Sequence, residues 1–121
     1  MYHPCVAPLP KKLSLAVRER DSFCCLGCGK NILEERWWSI QHRKARGVGG
    51  LDELVNLVTV CGSATSPGCH LLCEARDKEM NARGLWISSW NDPATTPVIL
   101  WTGISVMLTV DGHYQQLLEW E

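Results

Sequence analysis

Two pairs of cysteines carry the clearest chemistry in the chain. Cys25 and Cys28 are spaced C-x-x-C and run into Gly29, a knuckle whose free amides favour two thiolates sharing one ion. Cys61 and Cys69 form a second pair across the turn SATSPG. Redox motifs share the first spacing, so that pair alone leaves two readings. Both pairs together give four thiolates, the ligand set of a closed structural zinc site, which suits a small domain short of core. The second pair is joined by a loop longer than the usual two to four residues. The chain holds seven cysteines, an odd count that argues against a disulfide framework and for metal ligation. Cys5, Cys24 and Cys73 are left over; Cys24 is an alternative ligand, and Cys73 is read as packing in the last helix. His70, beside Cys69, is a second alternative ligand, and buried cysteines acting as small hydrophobes are the plain alternative to zinc.

A second constellation lies in WWSIQHRKARGVGG, residues 37–50. His42 ends an apolar run, the cations Arg43, Lys44 and Arg46 follow, and Gly47, Gly49 and Gly50 close the stretch. An imidazole titrates near neutrality and can take a proton from water. Cations clustered beside it fit phosphate contacts that position a nucleic acid. The bland alternative is a strand ending in a solvated loop. The formal net charge is −1, so no general cationic field draws the protein to nucleic acid. Any such contact must come from a local patch, which Lys11, Lys12, Arg18 and Arg20 could extend.

These residues need elements to hold them. At 121 residues the chain is one small domain with a modest core. Three prolines mark residues 1–10 as an extended arm. Leu13, Ala16, Val17 and Arg20 recur at helical spacing, predicting a short helix over 11–20. Strands are expected at 37–41 and 56–60, with a turn at 61–70 between the second strand and a helix over 71–83 that stops at Gly84. His70 at the start of that helix puts Glu74 on the same face one turn later, and Asp77 follows on it. Residues 85–90 read as a strand and 91–97 as a loop. VILW, ISVMLTV and HYQQLLEW then look like a β meander turning at Thr102-Gly103 and Asp111-Gly112. No stretch suits a signal peptide or approaches the roughly 18 apolar residues of a membrane span, so an intracellular, soluble protein is expected, with no membrane partner.

In order and surroundings, RERDSFCCLGCGK, SIQHRKARGVGG, NLVTVC and PGCHLLCE resemble the HNH endonuclease family, in particular its small phage and prophage members. The resemblance covers residues 18–84 and rests on several spaced elements matching together. It implies an α+β fold: a small ββα-metal domain over 11–84 stapled by structural zinc on Cys25, Cys28, Cys61 and Cys69, after the arm 1–10 and before a C-terminal β extension, 85–121. It implies that His42 is the general base, that Asn56 braces the turn and so orients the base, and that His70 ligates a single catalytic metal (Mg, Mn or Ni). Glu74 stands where many relatives hold a second histidine, and as a hard oxygen ligand it suits magnesium or manganese. Gln41 stands where the family often has His, Asp or Glu completing the metal site, and a neutral amide oxygen is a weaker ligand. Arg43, Lys44 and Arg46 become candidate DNA contacts. The implied activity is a DNA endonuclease or nickase leaving 5′-phosphate and 3′-hydroxyl ends, cytoplasmic, in the host cell if phage-encoded, with a phage packaging terminase as a possible partner. The rival, from another class, is a non-catalytic zinc module that binds DNA or a protein, its nuclease site decayed.

Overall fold

The computed structural model describes residues 8–117. Cys5, His3, most of the N-terminal arm and the end of the last meander segment lie outside them. Helix α1 spans Lys11–Arg20 and starts at Pro10, whose carbonyl accepts from the Ser14 amide at 3.0 Å. Its last turn carries Arg18 and Arg20, the sign that complements the helix dipole. Strands β1, Trp38–His42, and β2, Leu57–Cys61, pair antiparallel, with Trp38 opposite Cys61 and His42 opposite Leu57. Each begins one residue later than the periodicity predicts, so His42 is the last residue of its strand. All of β2 is buried, and it packs against α1 and against the helix that follows.

The helix expected over 71–83 is two helices, α2, Cys69–Glu74, and α3, Lys78–Ala82. Asp77 causes the break. Its side chain accepts from the Met80 amide at 3.0 Å, capping α3, and a capping aspartate is worth more there than in a helix interior. The residue before it, Arg76, takes a left-handed φ of 61°. The Arg76 amide reaches Cys73 O at 3.1 Å and the Asp77 amide reaches Leu72 O at 3.1 Å, the two bonds of a Schellman close with arginine in the place glycine usually takes. Asp77 therefore does not continue the His70–Glu74 face. Residues 85–90 form no strand. Leu85 and Ile87 are buried, but their amides bond Met80 O and Arg43 O rather than a sheet partner.

Strands β3, Val98–Ile99, β4, Ser105–Leu108, and β5, Tyr114–Gln116, form an antiparallel sheet in sequence order. This sheet shares one apolar core with the rest: Leu26 and Ile32 from the first knuckle region, Val58 and Val60 from β2, and Val98 and Val106 from the sheet. A buried polar node crosses that core. Asp21 receives Arg20 at 2.8 Å and 3.1 Å, the Thr59 amide at 2.9 Å and the Tyr114 hydroxyl at 2.7 Å. Arg20 also donates to Leu54 O and Leu57 O, and its side chain is 1% exposed, so it belongs to the core and not to a cationic track on the surface. Burial and the Asp21 carboxylate push the Tyr114 hydroxyl well above the usual phenol range, which keeps it a donor. No helix among the described residues is long and apolar enough to cross a membrane.

Candidate functional site

The four cysteines of the two pairs meet. The Sγ atoms of Cys25, Cys28, Cys61 and Cys69 all lie within 4.8 Å of one another. Cys28 Sγ and Cys61 Sγ are 3.7 Å apart, close to the edge of about 3.8 Å that a tetrahedron with metal–sulfur bonds of ~2.3 Å requires. Two backbone amides aim at the sulfurs in the manner of thiolate knuckles, Gly27 N at Cys25 Sγ and Cys69 N at Cys61 Sγ, both at 3.3 Å. At Gly27 a Cβ would sit 2.6 Å from Cys69 Sγ, so only glycine lets the first knuckle close on the second. The long loop after Cys61 folds back on itself. A Cβ on Gly68 would lie 2.7 Å from Cys61 O, and this close backbone approach brings Cys69 beside Cys61 despite the intervening residues.

The electrostatics also ask for a cation. The bond to Cys69 draws the Cys25 thiol down to about 5, whereas burial pushes Cys61 up to about 11, and the bond to Cys25 with burial drives Cys69 higher still. Without a cation one thiolate suppresses the others; a divalent ion removes that conflict. The donor set therefore fits a metal ion such as zinc. Neither alternative ligand enters. Cys24 Sγ bonds Ser22 O at 3.4 Å, and the His70 ring is held elsewhere. Cys73 is buried, its thiol pushed up to about 12 chiefly by burial, and it packs toward Leu85 O. The six described cysteines form no disulfide.

Beside this cluster lies an open cleft of about 240 Å³, lined among others by Gln41, His42, Arg46, His70, Glu74 and Arg76. Ser39, the second residue of β1, fixes His70. The Ser39 hydroxyl donates its single proton to Gly62 O at 2.9 Å, so at its contact with His70 Nδ1 it must accept. That arrangement is satisfied by the tautomer with the His70 proton on Nδ1 and the lone pair on Nε2. Nε2 faces Glu74 Oε2 at 3.7 Å. Burial lowers the His70 pKa, against the pull of the Glu74 carboxylate, and so favours the neutral ring that a ligand needs. Gln41 is buried and its Nε2 donates to His42 O at 2.8 Å. No second group of three His, Cys, Asp or Glu side chains converges among the described residues as the four cysteines do.

Asn56 is fully buried where the chain returns from the glycine loop to β2. Its Oδ1 accepts from Lys44 N at 2.8 Å, and its Nδ2 donates to Lys44 O and Leu51 O, both at 3.0 Å. One amide thus ties both ends of the loop that follows His42. His42 itself bonds Asp52 Oδ1 through Nε2 at 2.7 Å.

The cation run divides three ways. Arg43 is corrected from a DNA contact to a core residue: it is 1% exposed and donates to five carbonyls, those of Gly84, Val55, Pro93, Thr96 and Pro97. Arg43 continues the alternation of β1 on the face of the buried Gln41, and its side chain lies under the 84–97 segment. Burial lowers the guanidinium only to about 10, and it stays charged. Arg46 forks onto Asp52 with two bonds of 3.0 Å at the cleft rim. Lys44 is half-buried and supplies its backbone to Asn56. The sequence reading missed Ser39, Asp52 and Arg76, the last an exposed cleft residue whose guanidinium lies 4.9 Å from the Trp86 ring centroid. An isolated serine, aspartate or arginine gives no local signal, because its role depends on what the fold brings opposite. Comparison with protein-family models, curated proteins and solved structures returns no match.

Proposed function

We propose that the protein is a zinc-stapled ββα-metal domain of the HNH type, acting as a metal-dependent DNA endonuclease or nickase. One observation carries the reading: His70 Nε2 stands 3.7 Å from the Glu74 carboxylate, in the same cleft as His42. His70 and Glu74, with the Gln41 amide oxygen, are the residues that would hold a divalent ion such as magnesium, manganese or nickel. That ion, when bound, neutralises charge on the phosphate and on the leaving oxygen. His42 takes the proton of the attacking water, the water oxygen bonds phosphorus, the P–O3′ bond breaks and the leaving oxygen takes a proton from solvent. The products are a 5′-phosphate and a 3′-hydroxyl. Asn56 keeps the loop behind His42 closed, and Lys44, Arg46 and Arg76 meet backbone phosphates. Contacts of that kind position a duplex without reading its bases, so sequence specificity is low. A phage packaging terminase and the host cytoplasm fit this role as partner and location.

The test is nicking of supercoiled plasmid by the zinc-loaded protein with each of the three metals. Activity in the wild type that vanishes in His42→Ala supports the reading, and silence under every metal refutes it. One observation favours a second reading, a binding module with a decayed site. Gln41, a neutral amide, occupies the third ligand position, and its NH₂ is engaged with a backbone carbonyl. Nicking absent in the wild type and recovered in Gln41→His would select that reading.

A further inference from the structure

Asp52 has no part in the sequence reading, yet its carboxylate stands at the junction of the cleft and its loop. Oδ1 bonds His42 Nε2 at 2.7 Å, and Arg46 holds Oδ1 and Oδ2 through Nε and Nη2 at 3.0 Å each. The Arg46 bond first, and the His42 bond second, hold the carboxyl below the usual range, so it is an anion. Its backbone is equally determined. Leu51 O, the preceding carbonyl, is bonded by Asn56 Nδ2 at 3.0 Å, and Gly50 approaches so near that a Cβ there would lie 1.7 Å from Lys44 O. An exposed ion pair usually contributes little, since both side chains are free to part. Here three hydrogen bonds from two side chains converge on one carboxylate whose loop is tied at both ends.

We propose that Asp52 is the positioning residue of the base: it accepts the Nε2 proton of His42, fixes the ring's orientation, and leaves the lone pair on Nδ1 to receive the water's proton. The imidazolium formed in that step keeps its new charge opposite the Asp52 carboxylate, and Asp52 itself stays unprotonated, as in other histidine–carboxylate pairs. Arg46 is thereby the clamp on Asp52 as well as a rim cation. Asn56 acts on the base through the loop that carries Asp52. The inference rests on the nuclease reading, in which His42 is the base.

The experiment combines a spectroscopic and a kinetic arm on the zinc-loaded full chain. Proton NMR of the wild type should show a downfield Nε2–H resonance, assigned to His42 by its loss in His42→Ala. Asp52→Ala should lose that resonance while its melting temperature stays near the wild-type value, because the side chain sits at the cleft rim. Its kcat for plasmid nicking should fall ten- to hundredfold with no rise in KM for DNA. Asp52→Asn, which keeps an acceptor but not the charge, should fall between. A wild type without the resonance, an Asp52→Ala kcat equal to wild type, or a loss confined to KM overturns the positioning role. A wild type that shows the resonance but nicks nothing under any metal overturns the nuclease reading instead, and with it the catalytic use of the pair.

Discussion

The sulfur cluster and the histidine cleft meet at α2, which gives Cys69 to one and His70 and Glu74 to the other, and they are built in opposite ways. In the cluster every ligand is a side chain of one kind, held by backbone: two amides aim at sulfurs, and Gly27 and Gly68 let the chain pack against itself. Three of its four sulfurs belong to buried residues, and four like ligands leave no position for another. In the cleft the groups are of different kinds, and side chains hold them: Ser39 holds His70, Asp52 holds His42, and Asn56 holds the loop between. A closed four-ligand site serves folding, whereas an open one keeps room for water and substrate. The neighbours Cys69 and His70 point into the two centres, so one turn of helix start divides the two tasks.

The largest effect should come from removing the closed centre. One zinc per chain is expected by metal analysis, and chelation or Cys28→Ser should unfold the protein, since binding free energies of about 10–16 kcal/mol are folding free energy in sites of this type. Circular dichroism that is unchanged after complete metal removal would erase the distinction drawn between the regions. Next in size is the loss in the open centre. His42→Ala should keep its melting temperature yet lose roughly 10²–10⁴-fold in nicking rate, the usual worth of a general base. Melts in which His42→Ala fails as badly as Cys28→Ser would assign the cleft to stability.

The cation run sharpens the comparison further. Arg43→Ala should cost at least about 3 kcal/mol in urea unfolding, because five carbonyls lose a charged donor. Arg46→Ala, by contrast, should stay within about 1 kcal/mol. Equal costs would mean that exposure does not separate these two arginines. The smallest effect is expected from Gln41→His. It should leave the fold alone and lower the metal concentration for half-maximal nicking by roughly tenfold, about 1.4 kcal/mol. An unchanged metal titration would remove residue 41 from the ligand set.

Helix α1 and the cysteine centre were legible in the chain because each rests on spacing alone. The apolar positions of 11–20 repeat at 3.6, and the cysteine arithmetic leaves one economical set of four ligands. The rest depended on which way single side chains turn. Arg43, Lys44 and Arg46 look alike in a run of cations, yet Arg43 alone falls on the buried face that Gln41 shares. The long helix predicted over 71–83 is a fair sum of propensities that one capping interaction at Asp77 overrides. Arg20 reads as a surface cation until Tyr114, distant in sequence, completes the node that buries its partner.

That node has a consequence for how the chain reaches its fold. The Tyr114 hydroxyl that completes the Asp21 carboxylate comes from a residue 93 positions later. At about 5–20 residues per second, a ribosome adds it roughly 5–20 s after Asp21 has emerged in order. Through that interval the first helix can form, because its bonds are local, but the Arg20–Asp21 pair lacks its last donor and the face that β5 covers stays wet. The loop that must close is long, so this docking belongs to the slow, late part of the folding reaction. Metal capture needs nothing beyond Cys69 and can come earlier. Nascent chains therefore pass through a stage in which the sulfur centre is assembled and the sheet is not, and truncations between Cys69 and Tyr114 would trap that stage for proteolysis or hydrogen exchange to read.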